Sequence, residues 1–218
     1  MKTVKYKLLL YCNKSKPYLV YHREYCSLSP TEYIEYGYET RWEDKSMLED
    51  VCNGNIVAEC DYEVEKIKYD WYPNNIIPEG DHYYTYYRTD KIEPKELYEK
   101  SCLSWEQLNS YLNDYDLQSF DGGYAIHIKN LHIFDIDDRK ELNEFLYEDD
   151  TDGHYGVWTV ERAPKNGTVI CTDFKDIGGV YCCRGTYGRF LALSPYELRD
   201  ILNGKKTVVI RKSTWKEW

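Results

Sequence analysis

Residues 194–213, SPYELRDILNGKKTVVIRKS, contain the signals of a complete helix–turn–strand unit. Ser194 is a favoured N-cap residue, Pro195 suits the first helical position, and Glu197 completes a capping box. The apolar residues of the helix share one stripe, and Asn203-Gly204 is a typical helix stop. The β-branched run that follows predicts a strand. A unit of this kind is typical of the beginning of a domain, yet only five residues follow it.

The length of the chain predicts one domain with a sizeable core. Its 218 residues fit a single domain, and a chain of this size buries most of its apolar surface. No run approaches the roughly 20 apolar residues of a membrane span. The LLLYC run near the start is too short for a secretory signal. We therefore expect a cytoplasmic protein that makes no membrane contact.

The cysteines and histidines predict no metal site. The eight cysteines include no C-x-x-C pair, and zinc sites usually need closely spaced ligand pairs. The nearest approach is His22 and Cys26 with Cys12. We expect most thiols to be reduced, and we expect neither a metal nor a cofactor.

The net charge of −10 averages over unequal parts of the chain. Residues 1–23 hold six basic residues and no acid, and residues 199–218 carry a net +4. Residues 24–198 carry −20. If the two ends meet in space, they form one basic surface beside the pocket that Lys206 and Arg211 are expected to line. Such a surface suits contact with phosphates. Runs of like charge more often form a solvated surface than a binding site, so the alternative that these lysines and arginines bind nothing stays open.

Hydrophobic patterning predicts mixed strands with a few short helices. Predicted strands cover 4–12, 53–67, 122–135, 157–164, 168–174, 179–185 and 207–212. Predicted helices cover 93–102, 104–112, 137–147 and 194–203. The Tyr- and Glu-rich region 17–53 is interpreted as an excursion from the core. This order predicts an α+β fold around a small β-barrel.

Four segments resemble one known family. ILNGKKTVVIRK resembles the signature of ASCH domains, relatives of the PUA-like RNA-binding barrels, in which a helix ending in Gly leads into Gly-x-Lys-x-x-Glu-x-Arg. Three further segments look like a branch of the family often found on phages: LLLYCNKSKPY, NGNIVAECDYEVEKI and GGYAIHIKNLHIFDIDDRKELNEF. RAP at 162–164 is similar to the final strand of that branch. Together these segments cover about half the chain.

The order of the segments indicates a circular permutation. In the family the helix–Gly–Lys–strand unit comes first, whereas here it is last, and the other segments keep their cyclic order. Permutation is tolerated where termini lie close together at the surface. The resemblance therefore implies one circularly permuted ASCH-like domain over residues 1–218, with a PUA-like barrel. It also implies binding of RNA or a modified nucleotide by a protein carried on a phage or mobile element.

The resemblance further implies which residues carry the function. Some family members resemble amidohydrolases that deacylate a modified cytidine with a Lys, a Thr and a carboxylate. These positions fall on Lys206, on Val209 and near Ser101; because valine is neither nucleophile nor base, we expect this hydrolysis to be lost. Whether the protein is an enzyme of another kind stays open. The predicted nucleotide- or RNA-binding residues are Lys205, Lys206, Thr207, Arg211, Lys212, Tyr124 and His127.

Other residue patterns leave alternatives open. His127 and His132 lie five residues apart in one predicted strand, so we expect them on opposite faces. The tyrosines between 83 and 87 suit base stacking, although a strand with one face inward explains them as well. The acidic, Tyr-rich body suits a second function, in which a phage protein mimics nucleic acid and inhibits a host defence or nucleic-acid-handling protein. A third possible function is hydrolysis of a nucleotide or of RNA.

Overall fold

The computed structural model describes residues 6–12, 55–71, 85–112, 123–151 and 154–212. The predicted excursion at 17–53 lies outside the described residues, and so do the outer parts of the two basic ends. Within the described ranges the chain is a mixed α+β fold, as expected, with many strands and few short helices.

Eleven strands and three helices make up the described chain. The strands are β1 (Lys7–Cys12), β2 (Asn55–Lys66), β3 (Lys68–Trp71), β4 (Thr85–Arg88), β5 (Gly123–Ile133), β6 (Lys140–Glu141), β7 (Leu146–Thr151), β8 (His154–Thr159), β9 (Val169–Ile177), β10 (Val180–Leu193) and β11 (Val208–Lys212). The helices are α1 (Pro94–Ser101), α2 (Trp105–Leu112) and α3 (Pro195–Leu202).

One large sheet organises the fold. Its order is β11-β5-β2-β1-β10-β9-β7-β8, with β6 also paired to β2. Strands β1 and β10 are parallel, and the other pairs are antiparallel. Strands β3 and β4 form a separate hairpin. The described strands follow an open path from β11 to β8, so they do not show the closed barrel that we expected.

Helices cover both faces of the sheet near β11. Val209 faces a core that includes Leu198 and Ile201 of α3. Its neighbours Val208 and Ile210 face the other core, beneath α1 and α2. This split follows from the two-residue period of a strand, because successive side chains point to opposite faces. A third core around Phe190 of β10 includes Leu9 of β1, Ile56 of β2 and Ile170 of β9.

The predicted helix over 137–147 is wrong. Residues 136–138 and 142–144 are single 3₁₀ turns, with β6 between them. A capping box between Glu141 and Glu144 closes the second turn, and β7 then begins at Leu146. Leu142 and Phe145 are buried, but they reach the core from a turn, where Val160 donates its N–H to the carbonyl of Phe145. The spacing of apolar residues alone does not distinguish an α-helix from such a series of short turns and strands.

Among the described residues most cysteines are free thiols, in line with the expectation. The free thiols are those of Cys60, Cys102, Cys171, Cys182 and Cys183, whereas Cys12 is disulfide-bonded.

Among the described helices, none is long and apolar enough to cross a membrane.

Candidate functional site

Two of the predicted binding residues are buried in an ion cluster. Lys206 Nζ donates to Glu197 Oε1 at 3.2 Å, and the two terminal nitrogens of Arg211 donate to the two oxygens of Glu197, each at 3.1 Å. The side chains of Lys206, Arg211 and Glu197 are 3%, 10% and 8% exposed. The bidentate geometry is the strong form of an arginine–carboxylate pair. These cations therefore hold α3 against β11 and do not face solvent.

The helix start positions the carboxylate of this cluster. Ser194 Oγ accepts from the backbone of Glu197 at 3.2 Å, and Glu197 Oε2 accepts from the backbone of Ser194 at 3.4 Å. The capping box predicted from the sequence is thus confirmed, and the same carboxylate also pairs with both cations. Burial raises the pKa of Glu197, but the attraction of Arg211 and Lys206 is stronger and holds that pKa below its ordinary value. Glu197 is therefore ionised at neutral pH.

The positions that the resemblance assigns to hydrolysis are also buried. Val209 is inaccessible to solvent, and Ser101 Oγ donates to the carbonyl of Tyr98 at 3.3 Å. The end of α1 does lie against the Gly-Lys turn, because Thr207 donates its N–H to the carbonyl of Lys100 at 3.0 Å. The segments are adjacent, but the side chains at these positions supply no accessible nucleophile.

The other predicted binding residues do not form one surface. Tyr124 packs on the α3 face, opposite Arg211 in the strand register. The Nζ of Lys212 lies 5.6 Å from the ring centre of Tyr111, on the α2 side. Lys205 and Thr207 are exposed in the turn before β11.

His127 belongs to a separate polar network on the α1 face. Its Nε2 lies 2.9 Å from Glu65 Oε2, which also accepts from Thr89 Oγ1 at 2.6 Å. Thr89 Oγ1 in turn accepts the N–H groups of Lys91 and Ile92. Glu65 and Thr89 are buried, so the network ties the end of β4 to β2 and β5. Sequence patterning gave no signal for it, because its members lie far apart along the chain.

The expectation that His127 and His132 face opposite sides is wrong. Glu63 is the cross-strand partner of His127, and Glu59 is the partner of His132. Glu59 and Glu63 lie four residues apart in β2, so both pairs lie on one face. The register shifts between them, and Asn130 has a φ of 49°. An extra residue of this kind in β5 reverses the alternation.

The described chain has a large groove at the opposite end of the sheet. Its volume is about 1080 Å³, and it lies between the β7–β8 hairpin, the loop 160–168 and β9. The lining residues used below are Trp158, Thr159, Glu161, Arg162, Lys165, Asn166 and Thr168.

The loop that forms one wall is fixed to β10. Gly167 donates its N–H to the carbonyl of Phe190 at 2.8 Å, and Phe190 donates to the carbonyl of Thr168 at 2.8 Å. The buried Arg189 donates to the carbonyl of Gly167 at 2.8 Å. Gly167 has a φ of 88°, a value that suits glycine in a tight turn. The wall is therefore preorganised.

Trp158 presents an aromatic surface at this groove. A Cβ on Gly156 would lie 3.1 Å from the indole Nε1, so the indole lies directly over the bare backbone of Gly156. The Trp158 side chain is nevertheless 52% exposed. An indole supported on one side and accessible on the other is suited to stacking.

Two cations flank the groove with no protein partner. Arg162 and Lys165 are exposed, and neither side chain has a hydrogen-bond or ion-pair partner within the described part of the chain. Unpaired cations next to an accessible aromatic ring favour a ligand that carries both a flat ring and an anionic group. Sequence reasoning missed Trp158 and Lys165, and its one signal here was the RAP segment.

Within the described residues, no three His, Cys, Asp or Glu side chains gather into a group able to hold a metal ion. Comparison of the chain with family models, curated proteins and solved structures finds no match.

Proposed function

We propose that the protein binds RNA or a modified nucleotide as an ASCH-like, PUA-related module, and that the groove beside Trp158 holds the ligand. The observation that carries this proposal is the accessible indole flanked by the unpaired Arg162 and Lys165. Stacking on the ring suits any nucleobase, and the cations suit its phosphate. The Arg162–Pro164 run, which carries part of the family resemblance, lines the groove.

The helix–turn–strand unit supports the same proposal from the sequence side. Its cap, stop and strand form as the local residues predict. The Glu of the family signature falls on Val209 in this chain. The carboxylate that pairs with Lys206 and Arg211 belongs instead to Glu197 of α3. On this view the signature cations maintain the fold, and ligand contact occurs elsewhere.

Binding should depend on Trp158. We expect Trp158→Ala to weaken the binding of labelled single-stranded RNA by about 5- to 150-fold, since stacking on an aromatic side chain contributes ~1–3 kcal/mol per base. Fluorescence anisotropy at low and moderate salt measures the effect. The double change Arg162→Glu, Lys165→Glu should weaken binding further and flatten its salt dependence.

A charge reversal far from the groove is the matched control. Lys95 lies on α1 with its side chain 89% exposed, so Lys95→Glu should leave binding unchanged. If no RNA binds at low salt, or if the groove variants bind like the parent protein, the groove proposal fails. The acidic body is then better explained by the second function, in which the protein mimics nucleic acid and inhibits a host protein.

Hydrolysis of acylated cytidine should be absent. Val209 and Ser101 are buried without an accessible nucleophile, and Lys206 is held by Glu197. Incubation of the protein with an acylated cytidine, followed by chromatography, should release no acid. Turnover that disappears on Lys206→Ala, with the fold intact, would contradict this prediction.

A circular permutant should fold. Strands β1, β2, β5 and β11 are successive antiparallel neighbours, so the start of β1 and the end of β11 lie at the same end of the sheet. Three strand spacings separate them by about 14 Å across the sheet, and the register places the end of β11 about six residues, or roughly 20 Å, beyond the start of β1 along the strands. We expect a protein joined by a short Gly-Ser linker and reopened before Ser194 to keep its circular dichroism spectrum and cooperative unfolding. Failure to fold would count against the permutation.

A further inference from the structure

We infer that the groove takes a single strand of several linked nucleotides, in preference to a free nucleotide. This inference rests on the proposed function, because it names the kind of ligand bound at the same site. It follows from the size of the groove, the exposure of its cations and the neutral polar groups along the same wall.

The groove is larger than a site for one small ligand. Its volume of about 1080 Å³ lies at the upper limit of small-molecule pockets, which span roughly 300–1,000 Å³. A single nucleotide would leave much of it filled with water. A strand that crosses the groove covers more of the wall.

The two cations that line the groove lie on the same wall. Arg162 and Lys165 lie three residues apart, on either side of Pro164, in a wall fixed to β10 by backbone hydrogen bonds. Both side chains are exposed, and so is the nearby Glu161. A site for a free phosphate group usually encloses it with buried donors, whereas the charged residues among those that line this groove are all exposed. Two exposed cations on one wall suit a backbone that passes along the surface.

Neutral polar groups on the same wall suit the sugars between phosphates. Asn166 Oδ1 accepts the N–H of Ala192 at 2.9 Å, which leaves its Nδ2 as a donor. Thr159 and Thr168 contribute hydroxyl groups to the lining. Hydroxyl and amide groups are ordinary partners for phosphate and sugar oxygens.

The test compares ligands that differ in length. Cytidine 5′-monophosphate and oligocytidines of two, four and eight nucleotides are titrated into the full chain by calorimetry. We expect the tetranucleotide to bind at least about tenfold more tightly than the monophosphate. Once one nucleotide is bound, the linked nucleotides are held near the groove at a raised effective concentration. We also expect a slope of log K against log salt of about −1.4 for two phosphate contacts on a single strand.

Two variants make the salt test specific. Arg162→Ala and Lys165→Ala should each reduce the magnitude of the slope by about 0.7, whereas Lys95→Ala should leave it unchanged. A monophosphate that binds as tightly as the octanucleotide would overturn the inference while the proposed function stands. Absence of binding by every ligand would overturn both.

Discussion

Glu197→Ala is expected to lower the free energy of unfolding by about 3–5 kcal/mol, because it leaves two buried cations without their carboxylate. Glu197 is the shared partner of Lys206 and Arg211, and all three side chains are at most 10% exposed. The change also removes one half of the capping box of α3. Urea denaturation at neutral pH, followed by circular dichroism, measures the loss.

The matched control is another glutamate on a helix. Glu99 of α1 pairs with Lys95 at 3.9 Å, and its side chain is 66% exposed. Glu99→Ala should change the free energy of unfolding by less than about 0.5 kcal/mol, as is usual for an exposed pair. Similar losses for Glu197→Ala and Glu99→Ala would contradict the view that the cluster holds α3 on β11.

The Glu197 cluster also predicts a pH dependence. The folded-state pKa of Glu197 is lowered from its ordinary value, where the attraction of Arg211 and Lys206 outweighs burial. A group whose folded pKa is lowered stabilises the fold at pH values above its unfolded pKa, about 4.3 for glutamate, and loses that contribution as the pH falls. The gap in stability between the parent protein and Glu197→Gln should therefore be largest near neutral pH and narrow below about pH 4.

The second large effect is expected where β1 pairs with β10. A Cβ on Gly188 would lie 2.5 Å from the carbonyl oxygen of Lys7 and 2.9 Å from Leu9 Cγ. Because the first of these atoms belongs to the backbone, Gly188→Ala must push β1 away from β10. We expect a loss of about 3 kcal/mol, at the upper end of overpacking effects, measured by the same denaturation.

Gly156→Ala is the comparison for this change. There the three atoms nearest to the added methyl all belong to the side chain of Trp158, which can move, so the loss of stability should be less than about 1 kcal/mol. The shifted indole should nevertheless weaken RNA binding. An equal loss of stability for both variants would contradict the close approach of β1 and β10.

Local signals predicted the closing unit of the chain well. Ser194, Glu197 and Gly204 act through neighbouring residues, so the cap and the stop of α3 could be read directly from their order. The same is true of Ser104 and Gln107, which cap α2 through paired hydrogen bonds. Such features need no knowledge of the tertiary fold.

Features that depend on tertiary packing could not be predicted in the same way. Lys206 and Arg211 look like exposed binding cations in the sequence, because nothing local shows that Glu197 packs onto them. The groove was missed for a similar reason. Its wall at Gly167 is fixed by Phe190 and Arg189, which follow it by more than 20 residues.

Photo-cross-linking tests the central claim most directly. A single-stranded RNA that carries 4-thiouridine is irradiated with the full-length protein, and the cross-linked peptide is identified by mass spectrometry. We expect the label to be attached between residues 154 and 169, and we expect Trp158→Ala to reduce the attachment strongly. Attachment confined to residues 199–212, unchanged by Trp158→Ala, would place the ligand at the basic end of the chain and contradict binding at the groove.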